Sequence, residues 1–440
     1  MYKISKYIVI SDIDNLNKII YSTLSGKTIQ IENSTFEKIS NGRFELLTLN
    51  EKETLIDSKI ILNENINETS NFIEYIKSKS KESSVLGFTI TPSASCQMGC
   101  DYCGQEHSNI KITPILEDKI YNYIINRLKE TKKLELHITW FGAEPLTGLI
   151  QLKNLSNRLI EYCTENGVNY NANIITNGVK LKKELFYDLY FIHKINDFQI
   201  TIDGFGDTHD MRRPLKNGQK SFNNIYSQII DICNDDRFDS ENMQVYLRSN
   251  IDSRNFDDIW KLMDLLEKDN IQNKVRFYVT GVHPWENDAH TLSLAKQEFA
   301  DFELDVLGRM YLNNYLMSSE LIPMPITNTC MATSNRNHEL IDPSGNIFNC
   351  TEMPFSEKLL KYKTGNILND TKFEDTYAID QWYDKINNFQ CSNCNLLPIC
   401  GGHCPKHWID AKYIPCPSFK HNITERLKLN YYYKLVNEEN

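Results

Sequence analysis

The chain has 440 residues, 41% hydrophobic and 24% charged, which is the composition of a soluble globular protein long enough for about three domains. Its formal charge of −10 argues against a nucleic-acid or anionic-membrane surface as the main partner. No apolar run approaches the roughly 18–20 residues that span a bilayer. The N-terminus, Met1-Tyr2-Lys3-Ile4-Ser5-Lys6, lacks the apolar stretch of a signal peptide, so the expectation is a cytoplasmic protein with no membrane and no nucleic-acid partner.

Residues 1–83 contain no cysteine. Tyr7–Ile10, Lys18–Thr23 and Lys27–Glu32 read as strands of a small sheet, with Ser25-Gly26 as a turn. Asn33-Ser34-Thr35 offers an N-cap to a short helix through Phe36–Ile39 that ends at Gly42. Ile60-Ile61-Leu62 is a further apolar run, and a polar helix from Thr69 to about Lys81 leads out. This unit reads either as a binding module or as a structural embellishment of the next domain.

From Leu86 to about His283, strands and helices alternate. The expected strands are 86–91, 134–141, 170–176, 196–203, 243–250 and 275–282; the expected helices are 114–131, 149–166, 180–193, 221–235 and 255–268. Six βα repeats predict an α/β fold with a parallel sheet, curved into an open or closed barrel. In such barrels chemistry sits at the C-terminal ends of the strands.

Those strand ends are where the unusual segments fall. Cys96-Gln97-Met98-Gly99-Cys100-Asp101-Tyr102-Cys103 follows the first strand. Three thiols on one loop can converge on an inorganic centre and leave one position free, whereas a closed site wants four protein ligands. A zinc loop completed by another residue, with His107 nearest, remains the alternative at this point. Trp140-Phe141-Gly142-Ala143-Glu144-Pro145 ends the second strand and is expected to present Glu144 at the barrel mouth, where a carboxylate pairs with a ligand ammonium. A capped turn accounts for the same residues. Thr176-Asn177-Gly178, Asp203-Gly204 and Arg248-Ser249-Asn250 end later strands with polar groups.

Residues 286–325 are charged and helical in pattern, and a cysteine-rich block comes next: Cys330, Cys350 in the context Gly345-x4-Cys350, then Cys391-x2-Cys394-x5-Cys400-x3-Cys404 and Cys416. Ile341–Phe348 reads as a hairpin that presents Cys350. Seven cysteines exceed one four-ligand site and fall one short of two. Disulfides are not expected in a reducing compartment. Cys163 and Cys233 lie alone in amphipathic helices and read as small buried hydrophobes.

The Cys96-x3-Cys100-x2-Cys103 loop at the first strand of a βα barrel resembles the cluster loop of radical S-adenosylmethionine (SAM) enzymes. The seven-cysteine block resembles the SPASM domain, and the N-terminal unit is similar to the winged peptide-binding domain (RiPP recognition element) of enzymes that modify ribosomal peptides. The resemblance implies a partial (β/α)6 TIM-like barrel at 84–285, a winged-helix-like unit at 1–83, a helical linker at 286–326 and a SPASM domain with a C-terminal helix at 327–440. It implies SAM and three [4Fe–4S] clusters. Cys96, Cys100 and Cys103 would hold the SAM-binding cluster, Cys391, Cys394, Cys400 and Cys416 the distal auxiliary cluster, and Cys330, Cys350 and Cys404 the proximal one, with one ligand position open. Tyr102 would sit near the adenine. Gly142, Glu144 and Pro145 match the family's Gly-Gly-Glu-Pro motif, from which Ala143 departs. Thr176, Asn177, Arg248 and Asn250 would line the SAM site.

The activity implied is reductive cleavage of SAM to a 5′-deoxyadenosyl radical that abstracts hydrogen from a ribosomally made precursor peptide and leads to a thioether or carbon–carbon cross-link. The leader would dock on the N-terminal sheet, and an electron donor such as flavodoxin or ferredoxin would be required. Two alternatives stay open. An anaerobic sulfatase-maturing enzyme would place an Asp after the Gly-x4-Cys cysteine, where this chain has Thr351. A zinc-stapled binding scaffold would bind no SAM.

Overall fold

The computed structural model describes residues 1–283, 287–330, 333, 336–353, 356–369, 386, 389–410 and 414–438. The expected spans 286–326 and 327–440 therefore include positions outside the described residues.

The N-terminal unit opens with β1 (Tyr2–Ile4), β2 (Ile8–Asp12), β3 (Asn17–Ser22) and β4 (Thr28–Glu32). Strands β2-β3-β4 form an antiparallel sheet. Helix α1 (Asn33–Ser40) follows directly; it starts earlier than the expected Asn33-Ser34-Thr35 cap, with Glu32 at its N-cap and no side-chain cap bond. The Thr35 hydroxyl instead donates to Glu51 Oε1 at 2.6 Å. That glutamate belongs to α2 (Leu49–Asp57), whose capping box with Thr48 is a start signal in Thr-x-x-Glu form. β5 (Ile61–Asn63) pairs antiparallel with β1, and α3 (Glu68–Glu82) leads to the next unit.

The six expected strands form as β6 (Val85–Ile90), β7 (Glu135–Trp140), β8 (Asn169–Thr176), β9 (Ile195–Thr201), β10 (Gln244–Ile251) and β11 (Arg276–Gly281), all paired in parallel. Between them run α4 (Pro114–Thr131), α5 (Leu149–Asn166), α6 (Lys183–Phe191), α7 (Asp207–Arg212), α8 (Phe222–Cys233) and α9 (Ile259–Lys268). Period-two alternation divides the sheet into two faces. Leu86, Phe88, Ile138, Trp140, Ile174, Phe198, Leu247 and Phe277 pack on one face with Ile124, Leu155, Phe186, Ile229 and Leu262 of the helices. Burying each such side chain is worth about 1.5–3 kcal/mol. Cys163 and Cys233 belong to this core, as expected of small hydrophobes. The other face is polar. His137 and Thr139 both meet Asn173, and Tyr278 donates to Gln199 at 2.8 Å.

After α10 (Lys296–Leu312), the sheet continues. β12 (His338–Ile341) pairs parallel with β6, and β13 (Asn346–Phe348) and β14 (Gly365–Asn366) extend it antiparallel. The nine-stranded order is β11-β10-β9-β8-β7-β6-β12-β13-β14. The expected hairpin around Ser344-Gly345 is present, but it grows from the parallel sheet, so hydrogen bonding crosses the expected boundary at 326/327. Gly345 has φ +80°, the left-handed turn position that glycine adopts without a Cβ penalty.

The N-terminal unit is docked through apolar contact. Tyr7, Phe72, Ile73 and Ile76 pack with Cys391 and Leu397, while Val9, Ile19 and Tyr21 pack with Leu396, Ile399, Ile423 and Leu427. Polar bonds reinforce this face: Lys6 Nζ donates to Ser392 O at 2.7 Å and the Thr23 hydroxyl to Asn395 O at 2.6 Å.

Candidate active site at the cysteine loop

The loop after β6 is shaped by a second segment. Gly99 N donates to Pro214 O at 2.9 Å, Asp101 N to Arg212 O at 3.1 Å, and Lys216 N to Gln97 O at 2.9 Å. These bonds satisfy loop amides that would otherwise be left without partners, and they fix where the thiols point. Cys96, Cys100 and Cys103 then line one cavity with Tyr102, Gly142, Ala143, Thr176, Asn177, Gln199, Arg213, Arg248, Asn250, His283 and Glu352. Burial raises the pKa of all three thiols, that of Cys100 to about 12, and the Arg213 guanidinium opposes the rise at each. A metal centre must displace those protons, since the thiolate is the ligand.

Glu144 lies at the turn that follows β7. It is 1% exposed and does not line the cavity; Gly142 and Ala143 do. Its Oε1 accepts from Leu146 N at 2.9 Å and from Thr176 Oγ1 at 2.7 Å, and its Oε2 from Asn177 N at 2.8 Å. The carboxylate therefore caps the turn Pro145–Gly148 and ties the end of β7 to the end of β8. Burial raises its pKa while those three donors oppose the rise. The capped-turn reading describes this geometry, because the amides of Leu146 and Asn177 and the Thr176 hydroxyl are buried and share the carboxylate as acceptor. Pro145 is buried behind it. Gly142 has φ +123°, which an L side chain rarely adopts, so the backbone approaches the cavity there without a Cβ.

Thr176 and Asn177 do reach the cavity. Asn177 Nδ2 lies 3.7 Å from Cys96 Sγ, and its Oδ1 accepts from Gln97 Nε2 at 3.0 Å. On the far wall, Asn250 Nδ2 donates to the Tyr102 hydroxyl at 3.0 Å and Arg248 Nε to Asn250 Oδ1 at 3.0 Å. Tyr102 also donates to Asp203 and accepts from Arg213. Asp203 in turn accepts from Asn250 N at 2.7 Å. Sequence reasoning names Tyr102, Asn177, Arg248 and Asn250 for the site and misses Gln97 as the partner of Asn177, and Arg213 and the Asp203 carboxylate as partners of Tyr102. His107 lines the cavity too, 3.2 Å from Lys216 Nζ. Burial and that lysine lower its pKa.

The downstream cysteines fall into two groups. Cys391, Cys394, Cys400 and Cys416 line a cavity of about 480 Å³ with Leu397, Ile414 and Phe419, and Lys420 Nζ lies 3.3 Å from Cys416 Sγ. Burial pushes Cys400 up to about 12, with the other three thiols adding to the rise. Cys330 and Cys350 pack with Leu340, Phe348, Met353 and Leu359. Burial holds Cys350 well above the usual thiol range, reinforced by Glu352, Cys330 and Cys404. The structure thus brings the cysteines together as four and three. Among the described residues no three His, Cys, Asp or Glu side chains converge as ligands of a single ion.

No protein-family model matches the sequence, and neither does any curated protein. Solved structures do match. Native anSMEcpe with bound AdoMet shares 14% identity over 79% of this chain and 99% of that one, with a TM-score of 0.61. The same protein with AdoMet and Cp18Cys peptide gives 15% identity, the same coverage and 0.61. The chain shares its fold with this AdoMet-bound protein. Streptococcus suis SuiB bound to its precursor peptide SuiA is also similar, at 15% identity over 95% of this chain and 99% of that one, with a TM-score of 0.49. Among the described residues no helix is long and apolar enough to cross a membrane.

Proposed function

We propose that this chain is a radical SAM peptide maturase that installs a thioether or carbon–carbon cross-link in a ribosomally made precursor peptide. One observation carries the reading: the cavity of the cysteine loop also reaches His283 and Glu352, beside Cys350 of the three-cysteine group. A substrate held there faces both cysteine groups.

The donor set fits three [4Fe–4S] clusters. Cys96, Cys100 and Cys103 would hold the first and leave one iron for SAM; the group of four would hold a closed distal cluster, and Cys330, Cys350 and Cys404 a proximal cluster with one open position. A multi-iron cluster takes one thiolate per iron, so a set of three cysteines leaves one iron open. When bound, SAM and its cluster supply a 5′-deoxyadenosyl radical for hydrogen abstraction. The chain's own work is orientation. Backbone at Gly142 and Ala143 and the side chains of Asn177, Arg248 and Asn250 offer polar groups to SAM, with Thr176 fixed by Glu144 behind them. Tyr102 holds the loop against the wall near the adenine. The polar inner face of an open (β/α)6 barrel leaves room for a peptide.

The N-terminal unit supplies a docking edge. In β3–β4 the bonds Ser22 N to Lys27 O and Asn33 N to Leu16 O fix the register, which leaves the amides of Thr28, Gln30 and Glu32 facing outward. The opposite edge is met at Ile8 O by Asn395 Nδ2 at 2.9 Å. A leader peptide adds as a strand to β4. Flavodoxin or ferredoxin would serve as donor. A sulfatase-maturing activity is the second reading, favoured by Glu352, a carboxylate one residue beyond Thr351 and on the cavity wall.

The test is anaerobic reconstitution followed by detection of 5′-deoxyadenosine from SAM and dithionite. Product is expected from the wild type and none after replacing Cys96, Cys100 and Cys103 with Ala. Cleavage retained in that variant overturns the site.

A further inference from the structure

The segment zipped onto the cysteine loop brings a buried cation with it. Arg213 is 6% exposed. Its Nη1 donates to the Tyr102 hydroxyl and its Nη2 reaches Met98 Sδ at 3.8 Å, so the guanidinium holds two residues that alternate with the three cysteines. Asp203, with no exposed surface, lies 3.7 Å from Nη1. Arg213 Nε is buried without a hydrogen-bond partner among the described residues. Keeping a guanidinium there with a donor unspent costs solvation energy that a neutral packing residue would avoid.

The position gives that charge a use. Arg213 lines the same cavity as Cys96, Cys100 and Cys103. Asp203 accepts from the same Tyr102 hydroxyl that Arg213 reaches, so a buried carboxylate stands beside the guanidinium against the loop. The neighbouring Arg212 points elsewhere, to Asp252 at 2.5 Å and Asn250 O at 3.1 Å.

We propose that Arg213 is a positioning residue that raises the reduction potential of a cluster held by Cys96, Cys100 and Cys103, with Asp203 as its opposing partner. This rests on the cluster reading above. One-electron reduction adds negative charge to a centre already bound by three thiolates. In a buried site a fixed guanidinium stabilises that added charge and a fixed carboxylate destabilises it. The two substitutions therefore carry opposite signs, whereas a structural role shared by Arg213 and Asp203 moves both the same way.

The experiment is a redox titration of the full chain, reconstituted anaerobically and followed by electron paramagnetic resonance on the signal that changes when SAM is added. Iron content is measured alongside. Arg213→Gln is expected to weaken one-electron reduction at least tenfold, a downward shift of about 59 mV. Arg213→Lys, which keeps the charge, stays near the wild type, and Asp203→Asn shifts the potential upward. An unchanged potential in Arg213→Gln, or a downward shift in Asp203→Asn, overturns the inference. If Arg213→Gln assembles no cluster, the Asp203→Asn result alone decides. Absence of any SAM-responsive signal in the wild type contradicts the proposed function instead.

Discussion

Glu144 shows how a motif residue works through its neighbours. Its carboxylate answers two backbone amides and one hydroxyl that would otherwise be buried without an acceptor. Each such loss costs about 1–3 kcal/mol, so Glu144→Ala is expected to destabilise the cluster-free protein by about 3 kcal/mol in urea unfolding. A loss below about 0.5 kcal/mol would show that the carboxylate is dispensable to the fold. SAM affinity, measured on reconstituted protein, should fall with it, because Thr176 and Asn177 lose their anchor. At this scale the sequence tells more about cavity-facing residues than about their supports. Tyr102, Asn177 and Asn250 stand out as polar or aromatic groups at strand ends. Asp203 also ends a strand, but its role and that of Arg213 come from contacts with a loop more than 100 residues away, which the sequence does not show. Asn177 meets Gln97 across 80 positions for the same reason.

Elements are more legible than contacts. The strands β6 to β11 lie within a residue or two of their expected spans because apolar alternation and βα spacing are local signals. Helix α2 is missed by periodicity although its Thr48–Glu51 capping box is in the sequence, and β12 because four residues with one charged position carry little periodicity. β12 is held by packing instead. His338 Nε2 meets Thr89 Oγ1 at 2.9 Å, and burial lowers the histidine pKa to about 3. The unfolded chain takes up a proton near pH 6.5 and the folded one does not, so this contribution is complete above about 6.5 and lost as pH falls toward 3. The stability advantage of wild type over His338→Gln should therefore shrink between about pH 6.5 and 4 in thermal unfolding; a constant difference would mean that the ring is not buried neutral. The open edge of β4 makes a separate prediction. Gln30→Pro removes an outward amide without touching the β3 ladder, and should weaken precursor binding about tenfold in fluorescence anisotropy, with little change in melting temperature. Unchanged affinity would remove the leader from that edge.

At the scale of the molecule, the units are less separable than their sequence boundaries imply. The sheet runs from β11 through β6 into β12–β14, and the N-terminal unit shares apolar cores with the distal cysteine group. Deleting residues 1–83 would expose Leu396, Leu397 and Ile399, so that deletion is expected to lower the solubility and iron content of the remainder as well as its peptide affinity. A point change such as Gln30→Pro is the cleaner probe. This interdependence is not legible in the sequence: Tyr7 and Leu397 are each ordinary core residues, and only the fold pairs them. The grouping of the downstream cysteines as four and three is implied by the SPASM resemblance and not by spacing, since Cys404, four positions after Cys400, goes with Cys330 and Cys350. With Cys96, Cys100 and Cys103, ten thiols are assigned to iron–sulfur chemistry, and the iron count of anaerobically reconstituted protein tests that assignment most directly. Three [4Fe–4S] clusters predict about twelve irons per chain, falling to about eight when Cys96, Cys100 and Cys103 become Ala. About four irons in the wild type, or zinc in their place, would contradict it.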